Sequence, residues 1–237
     1  METYLAFTAA ELSLEALESR KLAYMACHFS PYSAGLSNMP QALPSGSMLI
    51  LNDRIPISGH DPNRVAEQLE QTLEVLSCDS LLLDFQRPGS EETAQLCRLL
   101  ADRLTCPLGI SHYYAQALRC CVFLPPPPLD MPLAEHLKPW AGRQIWLEAA
   151  LEAAEFTITP DGCRISPLPY ETPAGQTFID EDLHCRYRCE VAANDIRFFL
   201  YRTNDQLDAL LEEAGSLGIE KAIGLYQQLG IRKPLVG

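Results

Sequence analysis

The chain has no apolar run long enough to cross a membrane, so a membrane-spanning helix is not expected. Its first residues, Met1-Glu2-Thr3-Tyr4, lack the basic start and apolar core of a secretory signal, which reads as a cytoplasmic protein. Positive charge is scarce. Lys and Arg number 18 against 31 Asp and Glu, the formal net charge is −13, and no basic stripe occurs. Phosphate contacts need clustered cations, so nucleic acid and anionic membrane surfaces are disfavoured as partners. The nine cysteines contain no CxxC and are odd in number, which fits neither a disulfide framework nor a zinc site; most read as small core residues. Cys185 and Cys189 follow His184 but alternate along a strand-like segment, so no metal is assigned to them. There is no glycine-rich phosphate loop, nucleophile elbow or metal-binding His pair. Nucleotide enzymes, α/β-hydrolases and zinc hydrolases are thereby poor candidates, and no cofactor is expected.

What is present is a succession of short apolar runs, each ending in polar residues. Tyr4–Thr8, Leu22–Phe29, Met48–Asp53, Ser80–Phe85, Leu108–Ser111, Cys120–Leu124 and Gln144–Ala149 read as strands buried on both faces. Helical patterns intervene: Leu12 to Lys21, a segment opened by Asp61-Pro62 with Val65, Leu69, Leu73 and Leu76 on one stripe, and a segment capped by Ser90. The stretch Ser30 to Gly46 is a Pro/Ser/Gly-rich loop of the kind that lines sites, and Pro125 to Pro128 end a strand abruptly as a rigid rim. Residues 154–201 change character, with a hairpin turn at Asp161-Gly162 and strand-like segments on either side of Asn194-Asp195. A helix from Thr203 or Asn204 and a strand from Lys221 to Tyr226 follow. With 47% hydrophobic residues the chain can bury one sizeable core. The expected fold is therefore α/β, a (β/α)₈ barrel forming one domain over 1–237, with a small antiparallel insertion at 154–201 before the last barrel strand.

The decamer Asp79-Ser80-Leu81-Leu82-Leu83-Asp84-Phe85-Gln86-Arg87-Pro88 carries the clearest functional signal. Alternation places Leu82, Asp84 and Gln86 on one face and the apolar set Leu81, Leu83 and Phe85 on the other. The second set should meet helices, leaving Asp84 and Gln86 inside the barrel at the C-terminal end of the strand, where ligands bind. A carboxylate there also has a purely structural reading, as an interior group that holds loops together by hydrogen bonds. Glu148 ends strand seven on the face of Trp146, and Asp53 ends strand three; either side chain can reach the same mouth. His112 with Tyr113 follows strand five and His28 ends strand two. These are weaker candidates, because an isolated His beside aromatics is usually a hydrogen-bonding structural residue.

The decamer resembles the signature of glycoside hydrolase family 18, the chitinases and their peptidoglycan-active relatives, written D-G-x-D-x-D-x-E-[YWF]-P. Asp79, Asp84 and Pro88 match it. Leu82 stands at its second Asp, Gln86 at its catalytic Glu and Arg87 at its following aromatic. The chain's end is similar as well, with Tyr226, shortly before Gln228, the best match to the Trp that floors that family's sugar site, in a register open by one residue. The resemblance implies a (β/α)₈ barrel and a cleft for an oligosaccharide, with Asp84 facing the sugar's N-acetyl group and Tyr226 flooring the ring; Asp53, His112, Tyr113, Trp146 and Gln228, at or after strand ends, are the further candidate substrate contacts.

The family's hydrolysis needs a Glu to protonate the departing oxygen, a variant of the two-carboxylate scheme, and an amide at position 86 cannot do this. Leu82 interrupts the acid relay besides. Three readings stay open: a carbohydrate-binding barrel with lost or impaired hydrolysis, an active glycoside hydrolase using Asp84 with Glu148 as a relocated acid, and a barrel serving as a scaffold for protein contacts.

Overall fold

The computed structural model describes residues 1–11, 20–193 and 195–229. Of the helix expected from Leu12 to Lys21, residues 12–19 lie outside that description, as does Asn194 of the expected Asn194-Asp195 turn, and Lys21 itself opens a strand. The chain divides into two compact units: residues 1–124, 142–148 and 220–237, and residues 125–141 and 149–219.

The first unit is a closed barrel of eight parallel strands. In chain order its sheet contains β1 (Glu2–Phe7), β2 (Lys21–Phe29), the short antiparallel β3 (Leu36–Ser37), β4 (Met48–Asn52), β5 (Ser80–Asp84), β6 (Leu108–Ser111), β7 (Cys121–Leu124), β8 (Ile145–Glu148) and, far along the chain, β14 (Lys221–Leu225). Closure comes from β1, which pairs in parallel with both β2 and β14. The strands β4 to β8 are short and almost wholly buried, as continuous apolar runs such as Met48-Leu49-Ile50-Leu51 require of a sheet covered on both sides. Alternation divides each run. Tyr4, Ala6, Ala23, Met48, Ile50, Leu82, Cys121, Phe123, Trp146 and Ile223 form one cluster inside the barrel.

Two helices of this unit follow their sequence signals. The helix α1 (Pro62–Val75) begins where the Asp61 side chain accepts the Asn63 N–H at 3.0 Å, with Pro62 in the first turn, and buries Val65, Ala66, Leu69 and Leu73. The helix α2 (Glu91–Arg103) is capped by Ser90, whose hydroxyl accepts the Thr93 N–H at 3.2 Å; Glu91 and Glu92 sit at the positive end of its dipole. Between β6 and β7 the chain crosses without a helix, so the helical ring is incomplete among the described residues.

The second unit holds the antiparallel sheet anticipated from residues 154–201. Its strands are β9 (Glu152–Thr159), β10 (Gly162–Leu168), β11 (Phe178–Asp180), β12 (Cys185–Val191) and β13 (Ile196–Arg202), in the order β10-β9-β13-β12-β11. The expected Asp161-Gly162 turn joins β9 to β10, with Gly162 at φ 139°. Leu129, Ala154, Cys185 and Leu200 form this unit's core. It also contains α3 (Leu133–Leu137) and α4 (Asn204–Ser216), whose buried residues include Leu207, Leu210 and Ala214. A last short helix, α5 (Tyr226–Leu229), continues directly from β14 and belongs to the first unit.

The cysteines are free thiols, and Cys27, Cys97, Cys121 and Cys185 are buried. Burial pushes the Cys27 thiol up to about 12 and that of Cys185 to about 11, the behaviour of inert core residues. No helix of the described residues is long and apolar enough to cross a membrane. Among the described residues no group of three or more His, Cys, Asp or Glu is arranged to hold a metal ion, and His184 is instead hydrogen bonded to Glu213.

Candidate functional site

An open cavity of about 530 Å³ lies at the C-terminal ends of the barrel strands, lined by Asp53, Asp84, Gln86 and Glu148 together with His28 and the arginines Arg54 and Arg87. Its floor is Ala6, Ile50, Leu82, Phe123 and Ile223, the upper layer of the barrel interior. The strand alternation read from the decamer is the observed one. Leu82 faces inward beneath Asp84, while Phe85 is fully buried on the other side, with its ring 5.9 Å from Phe29 and 6.2 Å from Tyr114.

Gln86 lies just past the end of β5, on a loop that its neighbours fix. The buried carboxylate of Asp53 accepts the backbone N–H of Gln86 at 3.1 Å and that of Arg87 at 2.8 Å. The Ser111 hydroxyl donates to the Phe85 carbonyl at 2.6 Å, and the Tyr114 hydroxyl donates to the Arg87 carbonyl at 2.5 Å. From this tethered loop the Gln86 side-chain amide donates to Asp84 Oδ1. Burial holds the Asp84 carboxyl above its ordinary range; the Gln86 hydrogen bond opposes that shift and the Asp53 charge adds to it. The site therefore presents a preorganised carboxyl–amide pair in a partly dehydrated setting.

His28 reaches the cavity through an irregularity. Tyr24 pairs with Leu49 on the outer face, yet Cys27 pairs with Leu51 and His28 with Asn52, so an extra residue is taken up between Tyr24 and Cys27. Such a bulge reverses which face the following residues occupy and turns His28 inward. Its Nδ1 lies 2.7 Å from the Phe29 carbonyl oxygen, an acceptor only, so Nδ1 carries the proton and Nε2 accepts from Asn38 Nδ2 at 3.1 Å.

The remaining expected contacts stand elsewhere. Trp146 shares the inward face of Glu148 but lies deeper, fully buried in the barrel, with Lys221 Nζ 4.7 Å from its ring. His112 and Tyr113 stack on each other with centroids 4.0 Å apart and do not line the cavity; burial lowers the His112 pKa and favours its neutral form. Tyr226 opens α5, and neither it nor Gln228 lines the cavity, whereas Leu225 does. Alternation along β14 accounts for this, since Lys221, Ile223 and Leu225 share the inward face. Asp79, the first residue of the decamer, lies at the opposite end of β5. There it accepts from Ser80 Oγ at 2.7 Å and from Tyr4 Oη at 3.3 Å, and Lys21 lies 3.7 Å away. Lys221 donates to Tyr4 Oη at 3.3 Å, completing a charged plug below the interior.

Sequence reasoning passed over Arg54, Asn38, Asn52 and Leu225 as cavity residues. Alternation could have supplied Leu225. Loop residues such as Arg54 and Asn38 carry no periodic signal.

A closed parallel barrel with an antiparallel sheet in the long excursion before the last strand is a fold of the kind found in glycoside hydrolase family 18. Among solved structures, the chain is similar to the spore cortex-lytic enzyme SleL of Bacillus megaterium QM B1551, with a TM-score of 0.60 and 10% identity over 98% of this chain and 71% of that one. It is similar also to the class V chitinase of Nicotiana tobaccum, with a TM-score of 0.59 and 10% identity over 97% and 94% of the two chains, and to a chitinase of Chromobacterium violaceum ATCC 12472, with a TM-score of 0.58 and 10% identity over 96% and 94%. The likeness is one of fold. No family model and no curated protein matches the sequence.

Proposed function

We propose that the barrel mouth binds an N-acetylated oligosaccharide and has lost or strongly impaired hydrolysis. The observation that carries this reading is the pairing of Gln86 with Asp84 inside the cavity, above Leu82. An amide cannot protonate a leaving oxygen near neutral pH, and the loss of general acid catalysis costs ~10²–10⁴-fold. Leu82 offers Asp84 no neighbouring acid with which to exchange a proton. Binding has no such requirement. Asp84 remains an acceptor for an acetamido N–H, Gln86 both donates and accepts, and the apolar floor with Phe123 suits a sugar face. A glutamate-to-glutamine mutant of the Nicotiana tobaccum chitinase is described in complex with NAG4, which supports ligand binding in such a barrel with glutamine in place of a glutamate.

A second reading rests on Glu148, which lines the same cavity as Asp84 and supplies a second carboxyl for a relocated acid. Calorimetry with chitin oligosaccharides, alongside reducing-end assays, separates the two. Micromolar to millimolar binding with turnover at background supports a binding barrel, while turnover abolished by Glu148→Gln establishes the hydrolase. Neither binding nor turnover at millimolar oligosaccharide would refute both.

A further inference from the structure

Most polar groups around the cavity are already committed. Both Asp53 oxygens hold the loop backbone, Asn52 donates to the Met25 carbonyl and accepts the Arg54 N–H, and Asn38 and His28 bond each other. Thr8 donates through both its backbone N–H and its hydroxyl to Glu11. Two strong donors are left over. Arg54 and Arg87 both line the cavity and both are exposed; Arg87 Nη2 donates to the Arg54 carbonyl at 3.1 Å, which holds the two residues side by side. Among the described residues neither guanidinium has a carboxylate partner. In a chain with 31 acidic side chains against 18 basic ones, two adjacent cations at one cavity wall that form no ion pair among the described residues are available to an external anion. Arg87 is also the residue that replaces an aromatic in the decamer pattern, so the wall offers charge where a stacking ring is otherwise expected.

We propose that Arg54 and Arg87 form an anion subsite, and that the ligand is a glycan bearing a carboxylate substituent. This rests on the glycan-binding reading of the same cavity. A guanidinium presents parallel N–H groups that match the two oxygens of a carboxylate. A singly charged group suits the site better than a doubly charged phosphate, because Asp84 and Glu148 line the same cavity and would repel the second charge. The arginines follow β4 and β5, the third and fourth strands around the barrel, whereas Glu148 ends the seventh. A ligand spanning the mouth would thus place its carboxylate on the arginine wall and its uncharged part toward Glu148.

The test is calorimetric titration of the whole protein with three probes: N-acetylchitotetraose, an N-acetylglucosamine–N-acetylmuramic acid tetrasaccharide, and that same tetrasaccharide with its carboxyls amidated. The carboxylated probe should bind about tenfold more tightly than either neutral one. That advantage should shrink as salt is raised and disappear in Arg54→Gln/Arg87→Gln. Arg54→Gln alone, which removes no side-chain bond among the described residues, should lose part of it and guards against a folding artefact. Equal binding of all three probes, or an advantage that survives the double substitution, overturns the anion subsite and leaves the glycan reading standing. No binding by any probe overturns both.

Discussion

Gly109 and Trp146 occupy complementary space inside the barrel: a β-carbon added to Gly109 would stand 2.3 Å from Cε3 of the Trp146 ring. The indole is fully buried and Lys221 lies over it, so neither partner has room to yield. Overpacking of this kind costs ~1–3 kcal/mol. Gly109→Ala should lower the unfolding free energy by that amount in a urea titration and perturb tryptophan fluorescence, since only one other Trp is present.

Asp53 should act through the loop it holds. Asp53→Asn turns one of two acceptor oxygens into a donor that faces a backbone N–H, at a cost of ~1–3 kcal/mol for the orphaned groups. The Phe85–Arg87 loop should loosen, and glycan binding should weaken by more than the stability loss explains, because Gln86 is no longer held at the cavity. Backbone hydrogen exchange at Gln86 and Arg87 together with calorimetry checks this. Exchange protection unchanged in the variant would dismiss the clamp.

The pH dependence of stability should carry the mark of Asp84. Burial, the largest cause, raises its folded pKa above the ordinary 3.8, so the folded state holds this proton more tightly than the unfolded chain. Stability therefore declines as pH rises from the ordinary carboxylate range through the raised folded value. Asp84→Asn removes the ionisation while leaving an oxygen to accept from Gln86. The variant should melt above wild type at neutral pH, and the gap should close as pH falls below about 4.

In the second unit, Arg202 is completely buried, bonded to Glu152 through Nη1 and to the Pro127 carbonyl through Nη2 at 2.9 Å. Burial lowers the pKa of Arg202 and raises that of Glu152, and each partner's charge opposes the other's shift. Removing one partner of such a pair costs ~3–5 kcal/mol. Arg202→Met should show that loss in urea, and Arg202→Met combined with Glu152→Leu should recover most of it.

The sequence carried the fold because the barrel strands other than β2 alternate without interruption and the apolar runs are bounded by charge, polar residues or proline. Leu81, Leu83 and Phe85 could only face helices, and this alone turned Asp84 and Gln86 inward. Alternation gives the face of a strand but not the height along the barrel. Alternation thus puts Trp146 on the face of Glu148, while its depth, inside the core and below the cavity, has no signal in the sequence. His28 depends on a bulge between Tyr24 and Cys27, and a one-residue irregularity leaves no periodic trace. Asp53 was legible as a polar strand end, but its bonds to the backbone of residues 33 and 34 positions away were not.

The pairing of β1 with β14 sets an order in time. Tyr4 and Lys221, which meet beneath the interior, are 217 residues apart in sequence, so the ring cannot close until the segment through β14 has left the ribosome. At typical synthesis rates of ~5–20 residues per second the first strand waits roughly ten to fifty seconds for its second neighbour. Throughout that interval Glu2–Phe7 offers an unpaired strand edge and an uncovered apolar face to any other nascent copy. Expression yield should accordingly respond to translation speed and chaperone supply more than to the stability of the finished barrel.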